Sequence, residues 1–184
     1  MFKRYFFLFI FILFSCQEPV TKNIYIPPEK IENIETHLIV YQNFDDIWRV
    51  LLLELENDYK IKSRDVDAGE LILFFNTNEV SKYIDCGKMN EEIYVDYIDR
   101  IFGSSLNGQI RINLNSIEKN STSLDLIVMY RFTSKETGSR WSFETNKPKS
   151  ILAGNPSYGL DSYRECTSKH FLEEVLIKQT AILK

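Results

Sequence analysis

Apolar residues recur at helical spacing most clearly in the stretch that follows Asn43. Phe44, Ile47, Trp48, Leu51, Leu52 and Leu55 fall at i, i+3, i+4, i+7, i+8 and i+11, the period of one helix face. Asn43 is a favourable N-cap, and Asp45 and Asp46 stand in the first turn, where the helix dipole favours anions. Val50 and Leu53 widen the apolar arc, so this helix is expected to be covered on more than one side.

Elsewhere the period is two. Residues 36–42 (THLIVYQ) have the β-branched and aromatic content of a strand. Residues 59–64 (YKIKSR) and 70–76 (ELILFFN) flank an Asp-Val-Asp-Ala-Gly turn and predict a hairpin, whose nearly all-apolar second strand is expected to be central. Residues 83–87 (YIDCG) read as a short strand ending at Gly87. Three further strands follow. In the first, Ile110, Ile112 and Leu114 alternate with Arg111, Asn113 and Asn115; the second carries Leu124, Leu126, Val128 and Tyr130; the third carries Trp141 and Phe143. This is the pattern of an antiparallel meander with one wet face. Residues 146–166 read as a long loop, and residues 167–183 as a helix begun by a Thr or Ser cap, with Phe171, Leu172, Val175, Leu176 and Gln179 on the face laid against the sheet. The fold class predicted is α+β: an antiparallel sheet of about five to seven strands, with an N-terminal and a C-terminal helix packed on one face.

The N-terminus has a different pattern. Lys3 and Arg4 precede an unbroken apolar and aromatic run, residues 5–14, that stops at Ser15. A spanning helix needs about 20 such residues, so the run has the length and order of a secretory signal instead. Its end, Leu13-Phe14-Ser15-Cys16, resembles the bacterial lipobox, which implies a diacylglycerol on the Cys16 thiol and cleavage before it. Two other readings stay open: a cysteine that merely falls near an ordinary cleavage site, and an uncleaved signal anchor. Residues 17–33 are polar, with Pro19, Pro27 and Pro28, and read as a tether. The expected organisation is a lipoprotein signal peptide at 1–15, a lipidated cysteine and flexible tether at 16–33, and one globular domain at 34–184. Several acyl chains would hold the protein to a membrane without spanning it.

Charge and cysteine count narrow the class. The chain carries 22 Lys and Arg against 26 Asp and Glu; loss of residues 1–15 removes Lys3 and Arg4 and leaves 20 against 26. An acidic balance disfavours a nucleic-acid partner, which asks for a basic face. With Cys16 assigned to lipid, Cys86 and Cys166 remain, and an even count in an exported chain predicts a disulfide. The alternative is a pair of free buried thiols. No Cys-x-x-Cys or His-Cys spacing points to a metal or redox site, and no cofactor motif is present.

Candidate chemistry is sparse. His37 and His170 have no carboxylate or cysteine at ligand spacing and read as ordinary residues. Asp96, Asp99 and Arg100 cluster beside Tyr94, Tyr97 and Phe102; two carboxylates in a cleft could serve a glycosidase, but a solvated loop explains them as well. Tyr83, Tyr94, Tyr97, Tyr158, Tyr163 and Trp141 suit either a binding rim or core packing. The expectation is a protein that is not an enzyme.

The run FDDIWRVLLLELENDYKIKSRDVDAGELILFF, residues 44–75, resembles the Phe-x-x-Val-Trp…Leu…Gly-Tyr-x-Ile…Asp…Gly-x-Ile pattern of the BamC (NlpB) family of outer-membrane lipoproteins. The matching positions are Phe44, Ile47, Trp48, Leu52, Tyr59, Ile61, Asp67, Gly69 and Leu71. The resemblance implies a helix-grip-like α+β domain. BamC has two such domains and a longer N-terminal region, while this chain has room for one, and Cys86 and Cys166 lie outside the shared pattern. The expected function is that of an outer-membrane lipoprotein anchored through Cys16. Its domain would face the periplasm and bind another envelope protein, and Gln17 in place of Asp after the cysteine favours the outer membrane. A second class is a carrier of lipid or another hydrophobic ligand in a cavity between sheet and helix.

Overall fold

Asn43 opens the first helix as its sequence position predicts: its Oδ1 accepts a 2.9 Å hydrogen bond from the Asp46 backbone N–H. In the computed structural model, which describes residues 24–135, 140–152 and 164–181, twelve strands and three helices follow in chain order. They are β1 (Tyr25–Ile26), β2 (His37–Val40), α1 (Phe44–Leu55), β3 (Lys60–Asp65), β4 (Glu70–Thr77), β5 (Ile84–Asp85), β6 (Lys88–Met89) and β7 (Glu92–Ile93). Then come α2 (Tyr94–Phe102), β8 (Ser104–Glu118), β9 (Ser121–Ser134), β10 (Arg140–Glu144), β11 (Lys149–Leu152), β12 (Arg164–Ser168) and α3 (Phe171–Ala181). The predicted signal segment, Cys16, Tyr158 and Tyr163 lie outside the described residues.

The main sheet is antiparallel, in the order β10-β9-β8-β4-β3, and β2 also pairs with β9. Both β2 and β10 use the same edge of β9: β2 takes its first half, with His37 opposite Asp125, and β10 its second, with Arg140 opposite Thr133. β4 is internal, between β3 and β8, as its apolar run predicts. At the β3–β4 turn Gly69 has φ +65°, and a Cβ there would run into the Leu114 carbonyl, so glycine is required for the close approach.

One face of this sheet holds the core. Leu71, Leu73 and Phe75 of β4, Leu106, Ile110, Ile112 and Leu114 of β8, and Leu124, Leu126, Val128, Tyr130 and Phe132 of β9 all point to it and are buried. Alternation along each strand sends the residues between them to the other face. Helices α1 and α3 lie on the core side: Leu51, Leu55, Leu176 and Thr180 surround Ile112, Leu124 and Leu126, leaving a cavity of only ≈ 10 Å³. The architecture is therefore α+β and mostly antiparallel.

Four differences from the sequence expectations have physical reasons. The cluster around Asp96 is not a loop but α2, a helix of nine residues that buries Tyr94, Val95 and Ile98. Its apolar spacing, Tyr94, Val95 and Ile98, runs over little more than one turn, and its N-cap residue, Ile93, makes no side-chain capping bond. Residues 146–166 contain β11 and the first part of β12, which pair with each other, while the end of β12, Thr167 and Ser168, takes the expected cap residues of the last helix into a pairing with β5; both strands are short enough to hide among turn residues. Part of the expected tether is seated: Tyr25 and Ile26 pair with Met89 and Lys88, and Ile24 exchanges hydrogen bonds with Asn90. Last, α3 buries Leu172 and Leu176 of the expected face but adds Glu173 and Thr180, while Phe171, Val175 and Gln179 are only half-buried. Glu173 can be buried because the Tyr130 and Thr145 hydroxyls donate to its carboxylate.

Candidate functional site

The outer face of the main sheet, opposite the helices, is built by the alternate residues of five strands. Register sets them in rows. Lys60, Phe74, Gln109, Met129 and Glu144 stand opposite one another across β3, β4, β8, β9 and β10. Beside them runs Asn76, Asn107, Arg131 and Ser142, and on the other flank Ile72, Arg111 and Ile127. A further row is Glu70, Asn113, Asp125 and His37. The β8 column is thus a ladder of planar polar groups, Asn107, Gln109, Arg111 and Asn113, between two apolar columns, Ile72 with Phe74 and Ile127 with Met129.

This face is concave near β10. Phe74, Asn107, Gln109, Met129, Arg131, Ser142, Glu144 and Lys147 line an open trough of ≈ 680 Å³. Phe74 is 39% exposed there, with Ile72 and Met129 on nearby positions of the same face. Charges sort along the face. Arg131 and Lys147 are exposed in the trough with Glu144 beside them, Lys60 and Lys62 are exposed on the edge strand β3, and Lys62 Nζ donates to Gln109 Oε1 at 2.9 Å. Toward the other end the acids are paired: Glu70 with Arg111 at 3.5 Å, and Asp125 with His37 at 2.7 Å. The Asp125 hydrogen bond and charge raise the His37 pKa above its ordinary value.

A second polar group lies inside the core. Glu173 is fully buried in the first turn of α3; its Oε2 accepts a 2.6 Å hydrogen bond from the Tyr130 hydroxyl, and its Oε1 one of 3.1 Å from Thr145 Oγ1. His170 Nδ1 is 3.3 Å from the same Oε1. His170 stands at φ +53° and its backbone N–H donates to Ser168 Oγ, turning the chain from β12 into α3. Burial first, and the Glu173 carboxylate second, push the Tyr130 pKa far up, so its phenol keeps the proton that holds Glu173. Neither Glu173 nor His170 lines the trough. The group therefore ties α3 to β9 and to the end of β10.

The predicted disulfide is present: Cys86, just after β5, is bonded to Cys166 on β12. Around it a small lobe forms. Arg164, buried on β12, lays its guanidinium 4.5 Å from the centre of the Tyr25 ring and 5.8 Å from that of Tyr94. The Tyr25 hydroxyl donates to the Glu165 carbonyl at 2.9 Å, which fastens β1 to the lobe.

The remaining candidates divide. Trp141 is buried and stacked on Phe132, and Tyr94 is buried with Tyr97 stacked on it, so these belong to the core and not to a rim. Tyr83 packs edge-on against Phe171. Asp96 is exposed, while Asp99 Oδ1 accepts from the N–H and hydroxyl of Ser104 and so closes the turn from α2 into β8. The expectation that His170 has no carboxylate at pairing distance is corrected: Glu173, three residues on, is 3.3 Å away, and that His-x-x-Glu spacing is the sequence signal for it. Among the described residues no group of three His, Cys, Asp or Glu could hold a metal ion, and no helix is long and apolar enough to cross a membrane. Compared with protein-family models, curated proteins and solved structures, the chain gives no significant match.

Proposed function

We propose that this is a non-enzymatic envelope lipoprotein, held at the outer membrane through Cys16, whose domain faces the periplasm and binds another envelope protein. The observation that carries the reading is the outer face of the main sheet. It is a wide, partly apolar surface with Phe74 exposed, on the side of the sheet away from both packed helices. The disulfide adds support, because such bonds persist outside the cytoplasm. The spacing from Phe44 to Leu71 supports a place beside the BamC-like lipoproteins, and α1 and α3 on one face of the sheet suit a helix-grip description. A carrier would need room between helices and sheet, and the ≈ 10 Å³ there favours the scaffold over the carrier.

Two measurements test it. A photo-crosslinking residue placed at Phe74 in living cells is expected to capture a discrete envelope protein; crosslinks to lipid alone, or to nothing, would count against a scaffold. Palmitate labelling is expected in the wild type and not in Cys16→Ser; a variant that still takes up label would remove the anchor.

A further inference from the structure

Along β8 the outward side chains Asn107, Gln109 and Arg111 succeed one another every two residues, a step of about 6.8 Å. An extended polypeptide lying along β8 repeats its own outward backbone groups with the same step. Carboxamides both donate and accept, so each can meet a backbone N–H or C=O of such a strand. Gln109 has its carbonyl oxygen engaged by Lys62, which leaves its NH₂ as a donor. On either side stand Phe74 and Met129, opposite Gln109 in register, to receive alternate apolar side chains.

Charge fixes the rest of the ligand. Arg131 and Lys147 line the trough and are exposed, and among the described residues that line it the one acid is Glu144. The whole chain is acidic by four charges, so this local basic excess runs against its overall balance. Resting on the scaffold reading above, we infer that the outer face binds an extended segment of the partner protein, apolar at alternate positions and acidic where it lies over Arg131 and Lys147. Attraction of this kind weakens with salt and sets which partners are rejected as well as which are held.

The test uses the purified full-length protein and two fluorescent peptides, one of alternating Glu and Leu, the other of alternating Lys and Leu. Anisotropy is expected to show the Glu-Leu peptide bound at least about tenfold tighter, with affinity falling as salt rises from about 0.05 M to about 0.3 M. Arg131→Glu and Phe74→Ser, both surface changes, are each expected to weaken it about tenfold. Equal binding of the two peptides, or full binding by Arg131→Glu, would overturn the inference. So would binding to phosphatidylglycerol vesicles without peptide binding, which would assign the face to a membrane. If Phe74 crosslinks to a protein in cells but the peptides are not distinguished, the acidic-segment inference fails and the scaffold stands; if both fail, the scaffold falls with it.

Discussion

The Glu173 carboxylate, fully buried, receives the Tyr130 hydroxyl at 2.6 Å. Removing that donor leaves a buried acceptor short of a partner, which costs more than the hydrogen bond itself contributes. Tyr130→Phe is expected to lower stability by about 1.5–3 kcal/mol in urea denaturation. Thr145→Val takes away the second hydroxyl donor to the same carboxylate. The two substitutions share one acceptor, so the double variant is expected to depart from additivity by at least about 0.5 kcal/mol. Strict additivity would show that the carboxylate is not the common point.

The disulfide joins residues 80 apart in sequence. Closing a loop of that size constrains the unfolded chain by about 4 kcal/mol in the chain-entropy account. Cys86→Ser combined with Cys166→Ser, which avoids a lone thiol, is expected to lower the denaturation midpoint by a corresponding amount. The loss should concentrate where the bond sits. Hydrogen exchange is expected to accelerate first in β5, β12 and β1, and later in β8 and β9, because Tyr25 and Cys166 belong to the same small lobe.

What could be read from the chain follows a simple physical division. α1, the β3–β4 hairpin and the β8–β9–β10 meander each satisfy a local rule: a capped periodic face, a turn of Asp and Gly, alternation over many residues. Their signals were long enough to stand out. The outer face was legible as a wet face from Arg111, Asn113 and Asn115, but not its trough, because the register that sets Phe74 beside Gln109 is a property of strand pairing. α2 and β11 were hidden by shortness. Glu173 was hidden for another reason: a carboxylate goes inward only when partners distant in sequence meet it, here Tyr130 and Thr145 from β9 and the end of β10.

Gly108 offers a separate test of packing. It faces the core on β8, opposite Phe75 in register, and a Cβ added to it would enter the Phe75 ring. That ring also meets Tyr59, Tyr83 and Tyr130 within 6.5 Å between centroids, so it has little room to withdraw. Gly108→Ala is expected to cost about 1–3 kcal/mol through overpacking, measured as a fall in the denaturation midpoint. Pairing it with Phe75→Leu, which clears the space, is expected to restore part of the loss; no restoration would place the clash elsewhere.

His37 and Asp125 give the pH test. The hydrogen bond from imidazole to carboxylate favours the charged ring, so the folded-state pKa lies above the 6.5 of a free histidine. Between those two values the folded protein binds the proton and the unfolded chain does not. Stability from this pair is therefore fully present below about 6.5 and is lost as pH rises through the folded value. Both side chains are substantially exposed, at 53% and 44%, so the effect on global stability is expected to be small and screened by salt. The sensitive readout is the ring itself. In an NMR titration the His37 signals are expected to move at a higher pH than those of a free histidine, and Asp125→Asn is expected to bring the midpoint down toward 6.5. A midpoint unchanged by that substitution would mean that the β2–β9 pairing does not hold the two side chains together in solution.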